Sequence, residues 1–198
     1  MGKRIVAIVG SYRKEGTIDT AVEAILAGAR EKGATTHTIY LTEQHIEFCR
    51  NCRNCVQPPG TERGKCPQQD DLEQILQEIE AADAVVLGSP VNCGNVTAIF
   101  RRFMERTIGF GYWPWGQNAP KWRGARPTRK AALVASSAMP GFFIPLFTGA
   151  ATALRTTARI IGAKPVGTMW IGLAAGEPHH AIPSRTLARA RRLGLRLA

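Results

Sequence analysis

The sequence predicts an α/β fold in which a doubly wound parallel sheet carries helices on both faces. Short apolar runs of strand length alternate along the chain with amphipathic segments of helix length. The run at residues 84–88 (AVVLG) is apolar throughout, which is typical of a central strand buried on both faces. The first run, residues 3–10 (KRIVAIVG), ends in glycine and leads into a polar loop, as strand-to-helix connections do.

Each element is predicted from its own pattern. The first helix has its apolar residues on one stripe and ends at Gly33, and the next opens with Asp70 and Asp71, whose charges favour a helix N-terminus. The predicted strands are residues 3–10, 37–41, 84–88, 131–136 and 166–171. The predicted helices are residues 19–32, a segment opening at 70–71, and residues 96–108, 148–161 and 183–197.

Two segments depart from this alternation. Residues 45–69 combine prolines, glycines and four cysteines, so we expect a Cys-rich excursion rather than a regular element. Residues 110–129 are rich in tryptophan and are predicted to form a long loop. The chain shows no internal repeat, low-complexity tail or linker, and we therefore expect one domain over residues 1–198.

Charge and hydropathy exclude several classes of partner. The net charge is +11, and the second half of the chain has only Glu105 and Glu177 as acidic residues. Such a half is consistent with a solvated, arginine-rich face or with attraction of an anion such as NADPH. No basic run is interleaved with stacking aromatics, so we expect no nucleic acid. Residues 131–154 are uncharged and long enough to span a bilayer, but Pro140 and Gly141 interrupt them, so we expect no membrane span. The N-terminus lacks a secretion-signal pattern, which predicts a cytoplasmic protein.

The loop after the first predicted strand has the composition of an anion site. Residues 10–20 (GSYRKEGTIDT) bring hydroxyl groups, two cations and a flexible glycine to the start of a helix. Free N–H groups, hydroxyls and a guanidinium together suit a phosphate. The spacing fits neither the P-loop nor the dinucleotide G-x-G-x-x-G pattern. Taken alone, the loop is equally consistent with an ordinarily capped helix.

Two further loops follow the third and fourth predicted strands. In residues 89–98 (SPVNCGNVTA), Pro90 stiffens the exit from the sheet and Gly94 allows the backbone to approach a flat ligand. Residues 136–141 (SSAMPG) are small and leave room. Ligands of open parallel sheets bind beyond the carboxyl ends of the strands, so we expect all three loops to serve one site.

These three loops, in this order, resemble the NAD(P)H-dependent FMN reductase and iron-sulfur flavoprotein branch of the flavodoxin-like proteins. The resemblance implies a flavodoxin-like three-layer sandwich with a five-stranded parallel sheet in the order 2-1-3-4-5, FMN as cofactor and NAD(P)H as co-substrate. This chain has Asn92 and Cys93 where the family usually has aromatic residues. By position, the phosphate would be held by Ser11, Arg13, Gly16, Thr17, Ile18, Asp19 and Thr20. The ring would contact Pro90, Val91, Asn92, Cys93, Gly94 and Asn95, with Ser136, Ser137 and Ala138 on its other side.

Four of the five cysteines form one cluster, Cys49-x2-Cys52-x2-Cys55-x10-Cys66. The two-residue intervals let three thiolates converge, and the prolines and glycines that follow are turn formers able to bring back the fourth. A [4Fe-4S] cluster, a zinc ion and free or redox-active thiols all remain open. The iron-sulfur branch has a similar compact motif with a shorter last gap. Cys93 stands alone and is expected to be a small buried residue.

The resemblance implies an FMN-dependent oxidoreductase that passes electrons from NAD(P)H to a quinone, metal, nitro, flavin or protein acceptor. One alternative is an iron-sulfur flavoprotein that carries electrons between a [4Fe-4S] cluster and FMN, and another is a flavin-dependent sensor. FMN supplies the reactive atom, so no catalytic side chain is assigned. The apolar residues around Trp113 and Phe143 predict a homodimer or homotetramer.

Overall fold

The computed structural model describes residues 2–123, 129–177 and 180–198. The strands are β1 (Arg4–Val9), β2 (Thr35–Tyr40), β3 (Ala84–Asn92), β4 (Asn95–Val96), β5 (Gly111–Tyr112), β6 (Lys121–Trp122), β7 (Arg129–Ser136) and β8 (Ala163–Ile171). The helices are α1 (Thr17–Arg30), α2 (Leu72–Glu80), α3 (Ala98–Arg106), α4 (Ile144–Phe147), α5 (Ala150–Ile160) and α6 (Ser184–Leu197).

The main sheet has the order β2-β1-β3-β7-β8, and all four of these neighbouring pairs are parallel. Counting only these five strands, this is the order 2-1-3-4-5, so the predicted flavodoxin-like fold is confirmed. Alternate residues of a strand point to opposite faces of the sheet. Accordingly, Val6 and Ile8 pack with α2, α3 and α5, whereas Ile5 and Ala7 pack with α1 and α6. The sheet is therefore the middle of three layers.

The structure departs from the predicted elements at several places, among them β4 and α4, which were not predicted. Strand β3 continues beyond the predicted end at Gly88, because Ser89 and Pro90 still pair with β7. The segment predicted as a loop over residues 110–129 contains a short antiparallel pair, β5 with β6, and its residues 124–128 lie outside the described part of the chain. The uncharged residues 131–154 include most of β7, all of α4 and the first five residues of α5. Across the described ranges, no helix combines the length and apolar character that crossing a membrane requires.

Helices α1 and α6 approach each other through two glycines, which gives a testable prediction. A Cβ atom on Gly194 would lie 1.8 Å from the carbonyl oxygen of Ile25, and one on Gly28 would lie 2.0 Å from that of Arg191. Because backbone cannot yield as a side chain can, we expect Gly194→Ala to lower the free energy of unfolding by about 1–3 kcal/mol in urea denaturation. Gly176→Ala is the control, since nothing lies within 4 Å of its Cβ position. Equal losses at both positions would contradict the packing argument.

Candidate functional site

A cavity of about 370 Å³ lies where β1, β3 and β7 end, at the carboxyl edge of the sheet. Its volume falls within the range of roughly 300–1,000 Å³ that is usual for small-molecule sites. The three loops singled out in the sequence meet there. The lining residues are Ser11, Tyr12, Arg13, Gly16, Thr17, Ile18, Pro90, Val91, Asn92, Ser136, Ser137, Ala138, Ala174, Ala175 and His180.

The end of the cavity next to α1 offers donors for an anion. Helix α1 begins at Thr17, and no side chain caps its N-terminus. The first turn of a helix has N–H groups without intrahelical partners, and its dipole favours negative charge. The largely buried Ser11 hydroxyl oxygen accepts from the Arg13 backbone N–H at 3.2 Å, which shapes the loop that carries the Arg13 guanidinium. This donor set fits a phosphate group.

Asp19 and Thr20, which the resemblance assigns to the phosphate, do not line the cavity. The Asp19 carboxylate accepts hydrogen bonds from the Tyr40 hydroxyl at 2.7 Å and from the Glu15 backbone N–H at 2.8 Å. The hydrogen bond from its own hydroxyl to Asp19, together with burial, raises the pKa of Tyr40 to about 12. The Thr20 hydroxyl donates to the carbonyl oxygen of Gly16 at 3.0 Å. Both residues therefore hold the loop in shape from outside the cavity.

The second loop forms a tight hairpin between β3 and β4, and only part of it lines the cavity. Cys93 and Gly94 form the tip with φ angles of 47° and 75°, the two positive values that a type I′ turn requires. Because the chain reverses there, Cys93, Gly94 and Asn95 are absent from the lining, whereas Pro90, Val91 and Asn92 belong to it. Cys93 is exposed, so the expectation that it is buried is wrong.

Buried Thr97 joins the first loop to the second. Its hydroxyl donates to the carbonyl oxygen of Gly10 at 2.6 Å, and its backbone N–H donates to the Ser89 hydroxyl oxygen at 3.0 Å. The Thr97 hydroxyl oxygen also caps α3 by accepting from the Phe100 N–H at 3.3 Å. Thr97 therefore fixes the spacing between the two walls of the cavity.

Four lining residues were not predicted from the sequence: Tyr12, Ala174, Ala175 and His180. Tyr12 is 55% exposed, and its hydroxyl oxygen accepts from the Ile99 backbone N–H at 3.3 Å. An aromatic residue inside the polar first loop was the available signal for it. The segment after β8 joins the cavity because the Ala174 N–H donates to the carbonyl oxygen of Ser137 at 2.9 Å. Its composition gives no sign of this role.

The four clustered cysteines line one small pocket of about 40 Å³. They are Cys49, Cys52, Cys55 and Cys66. Burial raises the pKa of the Cys55 thiol to about 11, and the nearby sulfurs of the other three add to the effect. The fold therefore brings Cys66 into the same pocket as the three cysteines at residues 49–55.

Four thiols are the donor set that both zinc sites and iron-sulfur clusters use. Among the described residues, no three or more His, Cys, Asp or Glu side chains are arranged to hold a metal ion. A zinc ion needs its thiolates at about 2.3 Å from one centre. A four-iron cluster places each thiolate on a different iron atom, so its cysteines stand farther apart around a common space. The four cysteines around one pocket supply the number of thiolates that either group requires.

The Trp-containing segment supports the cysteine loop. The Arg53 guanidinium lies 4.1 Å from the ring centroids of both Trp113 and Trp115 and donates to the carbonyl oxygen of Trp113 at 2.7 Å. Arg53 itself has a positive φ angle of 61°, as Asn51 does with 50°. The sequence predicts that residues around Trp113 take part in subunit contacts. Their observed contacts are with the cysteine loop, and Trp113 lines its pocket.

A buried ion pair lies beside Cys66. The side chains of Arg106 and Asp70 are 2% and 1% exposed, and Arg106 donates to both carboxylate oxygens at 2.7 and 3.2 Å. The second terminal nitrogen, Nη2, also donates to Cys66 Sγ at 3.4 Å. Burial alone would raise the pKa of Asp70, but hydrogen bonds from Arg106 and from the Glu47 and Leu72 backbone N–H groups hold that pKa below its usual value.

The sheet order and the cavity at its carboxyl edge define a cofactor-binding α/β protein of the flavodoxin type. Comparison with known families narrows this class. The family model described as NADPH-dependent FMN reductase matches residues 3–176. The chain belongs to this family.

Curated relatives point to one branch of the family. An iron-sulfur flavoprotein of Methanocaldococcus jannaschii is 36% identical over 111 residues, which cover 54% of this chain and 55% of the relative. An iron-sulfur flavoprotein of Archaeoglobus fulgidus is 32% identical over 111 residues, covering 56% of this chain and 48% of the relative. The chain thus spans about half the length of the curated relatives it matches.

Solved structures share the fold. A NAD(P)H:quinone oxidoreductase from Methanothermobacter marburgensis has a TM-score of 0.69 at 21% identity, with 100% of both chains covered. An azoreductase from Bacillus anthracis has a TM-score of 0.69 at 15% identity, with 98% of this chain and 99% of the other covered. At these identities the likeness concerns the fold alone.

Proposed function

We propose that this protein is an iron-sulfur flavoprotein in which a [4Fe-4S] cluster on Cys49, Cys52, Cys55 and Cys66 exchanges electrons with FMN at the sheet edge. The observation that carries the proposal is the common pocket of the four cysteines, in the same chain as a cavity whose donors suit a phosphate group. The names of the curated relatives support the same combination.

The residues of the cavity have separate tasks in this proposal. Arg13 and the first turn of α1 bind the phosphate, and Pro90, Val91 and Asn92 orient the ring against the third loop. Bound FMN supplies the ability to accept and release one or two electrons. Ser136, Ser137 and Ala138 are small and leave room for the ring.

Helix α3 connects the two sites. Ile99 near its start is hydrogen-bonded to Tyr12 of the cavity, and Arg106 at its end is hydrogen-bonded to Cys66. At 1.5 Å per residue, these two positions are about 10 Å apart along the helix axis. The arrangement supports electron exchange between the sites, because a short rigid element fixes their separation.

A second candidate function is hydride transfer from NADPH to FMN and onward to a quinone, metal, nitro, flavin or protein acceptor. The family description favours it, and the net charge of +11 suits an anionic nucleotide. NADPH turnover with an artificial acceptor, measured on protein freed of iron, separates the candidates. Full turnover without iron would support direct hydride transfer, and its loss would support a path through the cluster.

The oligomeric state, expected to be a homodimer or homotetramer, stays a prediction that light scattering can test.

Metal analysis tests the main proposal. We expect anaerobically purified protein to contain about four iron atoms and four acid-labile sulfides per chain, with broad visible absorption beneath the flavin bands. Iron below one per chain would contradict the cluster. One tightly held zinc with an undisturbed flavin spectrum would assign the cysteines to zinc instead.

A further inference from the structure

Arg106 occupies a position that a stabilising role alone does not explain. It is buried at the end of α3 and binds three acceptors: the Asp70 carboxylate, the carbonyl oxygen of Glu47 at 2.5 Å and Cys66 Sγ. Its Nε is buried without a partner among the described residues. Buried ion pairs are often no more stabilising than apolar side chains of similar volume. Stability alone therefore does not explain a guanidinium at this position. We look for its role in the hydrogen bond that it donates to Cys66 Sγ.

We propose that Arg106 is a positioning residue that sets the reduction potential of the cluster through an N–H···S hydrogen bond to Cys66. This inference rests on the cluster proposed above. Reduction adds one electron and makes the thiolate-bound cluster more negative, so a donor to its sulfur stabilises the reduced form more than the oxidised form. Hydrogen bonds to sulfur and local charge are recognised determinants of cluster potentials.

Asp70 has the opposite electrostatic effect and keeps Arg106 in place. Its two oxygens hold the guanidinium as a fork and also accept the Glu47 N–H at 2.8 Å and the Leu72 N–H at 3.2 Å. The carboxylate charge disfavours an added electron nearby, whereas the Arg106 hydrogen bond favours it. Replacing either residue disturbs the same pair but changes the potential in opposite directions.

The experiment measures the cluster potential of the intact protein by anaerobic reduction with dithionite, which supplies the electron, and follows the reduced cluster by electron paramagnetic resonance. We expect Arg106→Gln to make one-electron reduction about tenfold less favourable, a shift of about 59 mV to more negative potential. Asp70→Asn should shift the potential to more positive values. Arg106→Lys keeps the charge beside Asp70 but lacks the fork, and it should shift in the negative direction.

Arg101→Gln is the matched control, because Arg101 lies on the same helix but is exposed and paired with Glu105. Its potential should equal that of the wild type. Equal potentials in the wild type, Arg106→Gln and Arg106→Lys would overturn the inference. Shifts of the same sign in the Arg106 and Asp70 variants would overturn it too, because they would reflect structural disturbance alone.

If Arg106→Gln does not fold or does not retain iron, the other two variants test the inference. A negative shift in Arg106→Lys with a positive shift in Asp70→Asn would support it, and shifts of the same sign would overturn it. Circular dichroism and iron content are measured on every variant. Absence of iron from the wild type would instead refute the proposed cluster, so the two failures remain distinguishable.

Discussion

Replacing Cys55 with alanine is expected to remove the cluster, leaving less than one iron atom per chain after anaerobic purification. Cys55 is a half-buried member of the cysteine pocket, and the other three sulfurs surround it closely enough to raise its pKa. A complete site requires all four thiolates. The broad visible absorption should disappear with the iron, while the flavin bands remain, because Cys55 does not line the larger cavity.

Cys93→Ala is the matched control for that substitution. Cys93 is exposed at the tip of the β3–β4 hairpin and belongs to neither pocket lining. It should retain the full iron and sulfide content. Iron retained in Cys55→Ala, or lost equally in Cys93→Ala, would show that the clustered cysteines do not hold a cluster as proposed.

Replacing Arg13 with alanine is expected to weaken FMN binding by about 1.5–3 kcal/mol, or roughly 10- to 150-fold in dissociation constant. The reason is the loss of a charged hydrogen bond to the phosphate in the part of the cavity next to α1. Quenching of flavin fluorescence, recorded during addition of protein freed of its cofactor, measures the dissociation constant.

Riboflavin and Lys14 provide the controls for the phosphate assignment. Riboflavin lacks the phosphate, so its affinity should be low in the wild type and almost unchanged in Arg13→Ala. Lys14 is the neighbouring cation, but it pairs with Glu43, lies over the Tyr40 ring and does not line the cavity. Lys14→Ala should keep FMN affinity. Equal losses of FMN and riboflavin affinity in Arg13→Ala would assign Arg13 to a different part of the ligand.

The types of the elements were predictable because periodicity is a local pattern, and the strand order was implied by the family resemblance. The continuous apolar run at 84–88 identified the central strand, and the alternation of strands and helices indicated the parallel sheet. The end of β3 was not predictable in the same way. Pro90 suggested that the strand had ended, yet its pairing with Ser136 of β7 continues the strand, and that pairing is a tertiary contact.

The candidate site was predictable where the motif residues face the ligand space. Ser11, Arg13 and Pro90 line the cavity as the resemblance implies, but Asp19 and Gly94 do not, because a motif identifies a segment and not the direction of each side chain. The ion pair of Arg106 with Asp70 has no local signature. It joins the last residue of α3 to the segment just before α2, and the two become neighbours only after folding.

The close crossing of α1 and α6 at Gly28 and Gly194 affects the order in which the protein is completed during synthesis. Helix α1 is synthesised before α6, so the helix surface that packs against it arrives only with residues 184–197. Until then, the helix whose N-terminus faces the cavity lacks the helix packed against its other side. Packing of α1 during synthesis is therefore complete only once residues 184–197 have been made and have folded against it.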